Sequence, residues 1–349
     1  MRATRRSDRS AHVDGERRPR DLDVLRQAVG DQKLTHAGYS YGSYLGVTYA
    51  NLFGDKVRAL VVDGVLDPIA WSTGRAGEAD LPFSTRLHSD AGAQATLDEF
   101  FRLCDAAAAG CAFSGDAAGR FAALAARLSN DPLEVPFPDG SVFVLDYSLL
   151  IASTLGALYD SAAWTDFAGF LADIESHASA TRLATRLQSF LARPAFIAKR
   201  GFPRYPNFLE TFPAIACADS DNPDSYAAWS AAADDAPGYF GRLRTWASSI
   251  CAEWPYADQD RYAGPFHQTT AKPVLVVGNQ FDPATRYEGA VTVAGLLPNS
   301  RLLTVHGWGH TSLFLSQCAD GAVSEYLLDL ALPAPVSYTH LTLPTKRIV

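Results

Sequence analysis

The run VRALVVDGV, residues 57–65, is the feature that most constrains what this chain can fold into. It is almost continuously apolar and rich in β-branched residues, which is typical of a strand buried on both faces. It follows the segments KLTHAGYS and YGSYLGVTYANLFG, which indicate a short strand and a helix that Gly54 ends. This order of strands and helices predicts a parallel sheet of the α/β class.

A different pattern occupies residues 80–264, where most segments, such as LDEFFRLCDAAAAG and GRFAALAARL, are typical of helices and GSVFVLD is a credible strand. The alternating pattern then returns with the strands KPVLVVGNQFDP and SRLLTVHGWGHTS, each followed by a helix. We therefore predict an α/β core of residues 20–79 and 265–335, interrupted by a large, mostly helical cap of residues 80–264.

Both ends differ in composition from the rest of the chain. Residues 1–19 are rich in arginine and almost without apolar side chains, so they indicate either a disordered arm or an out-of-frame start. Residues 336–349 change to Thr, Tyr and Lys and closely resemble a translated sequencing adapter. We expect neither segment to belong to the fold, and we expect the chain to be a fragment.

Composition and charge exclude several classes of function. The 349 residues are 48% hydrophobic and carry a net charge of −8, which argues against nucleic acid as the main partner. No stretch of 18 or more apolar residues is present, so we expect no membrane span. Nor does the sequence indicate an obligate protein partner.

Five cysteines bear on the compartment in which the protein works. Cys104 and Cys111 flank a short alanine-rich turn that suits a local disulfide, and Cys217 and Cys251 could form a second one. Cys318 has no obvious mate. Five reduced thiols remain the alternative, as in a protein of a reducing compartment.

The stretch GYSYG, residues 38–42, carries the first catalytic candidate. A G-x-S-x-G pattern between a strand and a helix is typical of a nucleophile elbow, so Ser40 is the predicted nucleophile. The backbone N–H of Tyr41, at the start of the helix, is the predicted oxyanion donor. The alternative is that Ser40 only caps that helix.

A serine nucleophile needs a base, and His310 follows the last predicted strand of the core. Asp282 follows the preceding strand and would orient the histidine, which gives the chain order Ser40, Asp282, His310 of α/β-hydrolases. Asp282 could instead be only a turn residue before a proline. His306 and His310 are spaced like a zinc pair, but glycines lie between them, so we expect no metal and no cofactor.

The segments GYSYGSYLG, LVVDGVLDP, LVVGNQFDPAT and GWGHTS together resemble the secreted tripeptidyl and prolyl aminopeptidases of the α/β-hydrolases. The resemblance runs from about residue 20 to 332 and includes the placement of the cysteines. It implies Ser40 as nucleophile, Asp282 as acid and His310 as base, under a helical cap. It also implies an exported enzyme with both disulfides, which releases tripeptides or single residues from the N-termini of short peptides.

The resemblance fails before residue 20, where the family has further strands and a glycine-rich loop that supplies a second oxyanion donor. We expect four sheet strands, with the strand before Ser40 at an exposed edge, and an incomplete α/β-hydrolase fold. Loss of one oxyanion donor costs about 10²–10³ in rate, so we expect this chain to be poorly active.

The substrate is less constrained by the sequence than the chemistry is. An aminopeptidase needs an anionic pocket for the α-ammonium group, and Glu210, Asp219 and Asp221 are the candidates in the cap. Ordinary solvated charges are the alternative for each. Two other functions stay open, an esterase on the same fold and a non-catalytic remnant.

Overall fold

The computed structural model describes residues 17–137, 140–176, 178–191, 208–334 and 337–340. Within those ranges the strands are β1 Leu34–Tyr39, β2 Val57–Asp63, β3 Leu133–Pro136, β4 Val142–Leu145, β5 Val274–Phe281, β6 Ser300–Trp308 and β7 Ser337–His340. The α-helices are α1 Arg17–Ala28, α2 Tyr41–Leu52, α3 Pro68–Ser72, α4 Phe83–Arg86, α5 Ser89–Ala107, α6 Ala117–Asn130, α7 Tyr147–Leu158, α8 Trp164–Glu175, α9 Ala180–Leu191, α10 Phe208–Asp219, α11 Tyr226–Asp235, α12 Gly241–Ala247, α13 Tyr287–Leu296 and α14 Gln317–Asp329.

The central sheet is parallel and has the strand order β1-β2-β5-β6-β7. The position of β2 explains why its sequence is continuously apolar, because each of its two faces is covered by different helices. Leu60 and Val62 pack in one core with residues of α2 and α13, whereas Ala59 and Val61 pack in another with α14. All four side chains are fully buried, as predicted for a strand covered on both sides.

The edges of the sheet agree only in part with the sequence analysis. Strand β1 lies at one edge of the described sheet, as expected. The expectation of four strands is wrong, because β7 pairs in parallel with β6 and belongs to the segment placed outside the fold. Residues 1–16, 335–336 and 341–349 lie outside the described ranges, so most of both terminal predictions falls on residues that the structure does not describe.

Helices α3 to α12 and the antiparallel hairpin β3–β4 make up the regular structure described between β2 and β5, apart from short 3₁₀ turns. Helices α5 to α9 share a core of their own, built on Phe100, Phe121 and Phe167, whereas Trp71 of α3 and Trp229 of α11 pack in the core that contains α2 and α13. The predicted strand in GSVFVLD corresponds to β4, while its partner β3 was missed because LEVP is short and mostly exposed. No helix in the described ranges is both long and apolar enough to cross a lipid bilayer.

Two disulfides are present in this helical segment. Cys104 is joined to Cys111, seven residues away, just beyond the C-terminal end of α5. Cys217 of α10 is joined to Cys251, 34 residues away, in a 3₁₀ turn that follows α12. Cys318 is exposed near the start of α14 and forms no disulfide.

Candidate active site

The predicted catalytic residues meet at one edge of the sheet. Ser40 directly follows β1, Asp282 directly follows β5, and His310 lies two residues after β6. Because parallel strands present their carboxyl ends at the same edge, side chains in these turns lie close together.

The turn at Ser40 is strained. Its backbone angles, φ 55° and ψ −122°, are those of the first central residue of a type II′ turn, which glycine normally occupies. Gly38 is required here, because a Cβ on it would lie 2.0 Å from the carbonyl oxygen of Gly42. Gly42 itself has open space around its Cα, so only the first of the two flanking glycines is sterically required.

The alternative role of Ser40 as a helix cap is not supported by its contacts. Its side chain makes no capping hydrogen bond to α2. The carbonyl oxygen of Ser40 instead accepts hydrogen bonds from the backbone N–H and the hydroxyl of Ser43, which hold the turn in place. Tyr41 is the first residue of α2, so its N–H lies at the positive end of the helix dipole.

His310 and Asp282 form a close pair. The Nδ1 atom of His310 lies 3.0 Å from each carboxylate oxygen of Asp282. Asp282 is 1% exposed and also accepts hydrogen bonds at Oδ1 from the backbone N–H groups of Ala284 and Thr285, both at 2.8 Å. Asp282 therefore shapes its own turn, as the alternative reading proposed, and at the same time contacts the histidine.

The electrostatics of this pair set the histidine tautomer. Burial alone would raise the pKa of the Asp282 carboxyl, but the charge of His310 and the hydrogen bonds to that carboxyl lower it below its usual value. Asp282 is therefore ionised at neutral pH and accepts a hydrogen bond from the N–H group at Nδ1 of His310. The opposite nitrogen, Nε2, is left able to accept a proton from a nucleophile.

Thr285 and Asn279 hold the pair in place and were not found from the sequence. The hydroxyl of Thr285 donates to Asp282 Oδ2 at 3.0 Å and lies 3.4 Å from His310 Nδ1. The buried amide of Asn279 donates to the carbonyl oxygens of Gly309 and Thr311, on either side of the histidine. The sequence signal available for Asn279 was its place as a polar residue near the end of the apolar strand β5.

Gly64 connects the nucleophile turn to the histidine. The N–H of Ser40 donates to the carbonyl of Asp63, the residue before Gly64, at 2.9 Å. A Cβ on Gly64 would lie 3.2 Å from Cε1 of His310. Ser40 and His310 thus both lie next to one short stretch of backbone at the end of β2.

The carboxyl group of Asp63 is a further buried acid at this edge. Its Oδ2 accepts hydrogen bonds from both the N–H and the hydroxyl of Ser312, each at 2.8 Å, so it fastens the loop after His310 to β2. Burial raises the pKa of the Asp63 carboxyl to about 6, with a smaller contribution from the charge of Asp282, although the two hydrogen bonds act in the opposite direction.

This shift predicts a pH-dependent stability. An unfolded aspartate titrates near pH 3.9. Between about pH 4 and 6 the folded chain keeps a proton that the unfolded chain has lost, so the Asp63 contribution to the free energy of unfolding falls as the pH rises. A shift of about two pKa units corresponds to ~3 kcal/mol across that window.

Urea unfolding of the wild type and of Asp63→Asn at pH 4, 5, 6 and 7 should reveal this contribution. The variant has no carboxyl to titrate, so its unfolding free energy relative to wild type should rise by up to ~3 kcal/mol between pH 4 and 7. A difference that stays constant with pH would contradict the assignment. Asp258→Asn, a change at another buried aspartate, is the control.

The three predicted acidic residues of the cap lie in different surroundings. Glu210 is exposed on α10. Asp219, at the end of α10, is 1% exposed, and its Oδ2 accepts a hydrogen bond from the hydroxyl of Tyr41 at 2.5 Å. Asp221 is half exposed and forms an ion pair with Arg261. Asp219 thus contacts Tyr41, the residue next to Ser40.

His306, the other member of the possible zinc pair, lies within β6. Its Nδ1 is 2.7 Å from Oε1 of Gln280. Among the residues described, no group of three or more His, Cys, Asp or Glu side chains is arranged to hold a metal ion.

Comparison with protein families gives two matches. Residues 6–97 match the family described as the alpha/beta hydrolase fold. Residues 236–339 match the family described as TAP-like protein. The two matches lie on the two parts of the chain that contribute strands to the central sheet.

Named relatives align with most of the chain. A serine protease, Hip1 of Mycobacterium tuberculosis, is 30% identical over 93% of this chain. The tripeptidyl aminopeptidase of Streptomyces lividans is 29% identical over 91% of it, and carboxylesterase B of M. tuberculosis is 32% identical over 90%.

The chain spans only 61%, 56% and 58% of the length of these three relatives, respectively. The family matches, the parallel sheet and the large helical segment nevertheless confirm the predicted fold class. We conclude that this chain has the α/β-hydrolase fold and that, among proteins of this fold, it is similar to the TAP-like proteins.

Proposed function

We propose that this chain is a serine hydrolase in which Ser40 is the nucleophile, His310 the general base and Asp282 the acid that orients the histidine. The observation that supports it most is the contact of His310 Nδ1 with both carboxylate oxygens of Asp282, beside the strained turn at Ser40. Strain of this kind persists where the surrounding structure fixes the residue in place, and strained residues of this kind cluster at active sites.

The proposed reaction has two halves. Nε2 of His310 takes the proton of the Ser40 hydroxyl as its oxygen attacks the substrate carbonyl. The N–H of Tyr41 stabilises the negative oxygen of the tetrahedral intermediate. His310 then gives the proton to the leaving group, and an acyl-enzyme on Ser40 remains. Water, deprotonated by the same histidine, releases the acid and restores the serine.

We propose that the substrates are short peptides, from whose N-termini the enzyme releases tripeptides or single residues. Two named relatives, a serine protease and a tripeptidyl aminopeptidase, support a peptide substrate. The carboxylates of Glu210, Asp219 and Asp221 are the proposed partners of the α-ammonium group. Asp219 is the foremost of these, because its contact with Tyr41 puts it near the nucleophile turn.

Hydrolysis of Ala-Pro-Ala p-nitroanilide, with its amino group free or acetylated, tests this proposal. A charge-assisted hydrogen bond to a carboxylate is worth about 1.5–3 kcal/mol. We therefore expect the free peptide to have a kcat/KM about 10- to 100-fold higher than the acetylated one. Asp219→Asn should remove most of this preference while keeping an oxygen that can accept from Tyr41.

Glu210→Gln and Asp221→Asn, measured in the same way, assign the amino group among the three carboxylates. Equal cleavage of both peptides by the wild type would contradict an aminopeptidase. A preference that none of the three variants reduces would contradict the proposed anchor and leave the exopeptidase activity standing.

An esterase is the second candidate, because a relative with 32% identity is named a carboxylesterase. A p-nitrophenyl ester has a far better leaving group than an amide, so both kinds of enzyme hydrolyse it. Only a peptidase also cleaves the matched anilide. Ester turnover with no detectable anilide turnover by the same preparation would favour the esterase.

An oxidising compartment completes the proposal. The two disulfides support export from the cytosol, where thiols are kept reduced.

A further inference from the structure

Tyr159 of the helical segment contacts the candidate base, His310. This tyrosine directly follows α7, and its carbonyl oxygen accepts a hydrogen bond from the backbone N–H of His310 at 3.0 Å. The approach is close, since a Cβ on Gly309 would lie 3.0 Å from that same carbonyl oxygen. The main chain of Tyr159 is therefore held against the histidine loop.

A second contact fastens the same loop to the helical segment. The indole N–H of Trp308 donates to Oε1 of Glu99 in α5 at 3.2 Å. The ring of Trp308 also packs against the ring of Trp164, with centroids 5.9 Å apart. These two contacts therefore hold the helical segment against the end of β6, two residues before His310.

The side chain of Tyr159 lies beside the imidazole. The two ring centroids are 5.2 Å apart and the ring planes are inclined by 69°, an edge-on arrangement. The tyrosine is nevertheless 37% exposed, whereas the side chain of His310 is 12% exposed. Tyr159 thus packs against the imidazole and is still partly exposed to solvent.

The proposed reaction decides what would lie there. His310 must protonate the leaving group, so the leaving group has to be next to the imidazole when the bond breaks. A ring that packs on the imidazole and is still exposed is in a position to contact the same group. We propose that Tyr159 forms a wall of the leaving-group subsite and discriminates among the residues that can follow the cleaved bond. This inference rests on the proposed function.

Tyr159 is suited to a clean test, because the hydrogen bond to His310 comes from its main chain. Tyr159→Ala removes the ring and keeps the carbonyl, so the base stays in position. Tyr159→Phe keeps the ring. Tyr226, another exposed tyrosine, lies on α11 and provides the matched control Tyr226→Ala.

The experiment compares substrates with one acyl part, Ala-Pro-Ala, and different leaving groups, glycinamide and phenylalaninamide. We expect Tyr159→Ala to lower the ratio of kcat/KM for phenylalaninamide over glycinamide by about three- to tenfold, the size of an aromatic contact. Tyr159→Phe and Tyr226→Ala should leave the ratio unchanged. Deacylation, measured as kcat for the Ala-Pro-Ala p-nitrophenyl ester after its burst, should also be unchanged, because the leaving group has already departed.

The outcomes separate this inference from the function beneath it. If Tyr159→Ala lowers kcat/KM for both leaving groups equally and slows deacylation, the ring only supports the histidine and the inference is wrong. If the wild type shows no hydrolysis that depends on Ser40, the proposed function fails and the inference fails with it. Wild-type hydrolysis with an unchanged ratio in Tyr159→Ala overturns the inference alone.

Discussion

Replacing Ser40 with alanine is expected to lower kcat by about 10⁶ and to abolish covalent labelling by a fluorophosphonate. The hydroxyl is the proposed attacking group, and the other residues of the site can do little without it. Labelling is read from the mass of the intact protein, and kcat from a p-nitrophenyl ester. Persistent labelling of the alanine variant would place the nucleophile elsewhere.

Ser40→Gly is the informative companion to that variant, because both lack the hydroxyl. Alanine must still adopt a φ of 55°, whereas glycine adopts it without strain. Strain at one such residue costs about 1–3 kcal/mol. We therefore expect the free energy of unfolding of the glycine variant to be at least ~1 kcal/mol higher than that of the alanine variant. Both should be inactive.

This pair of variants also tests the helix-cap alternative. If the Ser40 hydroxyl capped α2, its loss in Ser40→Ala would cost about 1 kcal/mol of stability. The same wild-type hydroxyl would then be a poor target for fluorophosphonate. A wild type that resists labelling while Ser40→Ala is destabilised would therefore favour a folded, non-catalytic protein over a hydrolase.

The predicted site residues and the residues that support them differ in how they could be found. Ser40, Asp282 and His310 each follow an apolar run within a few positions, so periodicity alone assigns them to one edge of a parallel sheet. Asp63 contacts Ser312, 249 residues further along the chain. No local sequence pattern predicts such a long-range contact, because it depends on how the strands are arranged in the sheet.

The fold was predictable to a similar degree. The buried strand β2 could be predicted from its apolar composition. Its alternate residues face the two layers of helices on opposite sides of the sheet, so almost all of them must be apolar. Strand β7 was not expected in the sheet because residues 336–349 differ in amino-acid composition from the rest of the chain. This difference does not prevent backbone pairing, however, and the segment SYTH contains tyrosine and threonine, which favour strands.

Replacing Asp282 with asparagine is expected to lower kcat by about 10⁴. The asparagine oxygen must face the backbone N–H groups of Ala284 and Thr285, which donate to Oδ1 in the wild type. Its NH₂ group is then left to face Nδ1 of His310. An imidazole that accepts at Nδ1 carries its proton on Nε2, and it cannot remove a proton from Ser40.

Rates of the p-nitrophenyl ester measured from pH 6 to 10 test this reversal of the tautomer. Asp282→Asn should keep the wild-type KM, because the turn keeps its backbone hydrogen bonds, while kcat falls. Asp258→Asn, at a buried aspartate of the helical segment, controls for the loss of a buried charge and should keep kcat within a fewfold of wild type. A kcat of Asp282→Asn within tenfold of wild type would mean that the acid which orients His310 is another group, and Asp63, buried at the same edge, would be the first to examine.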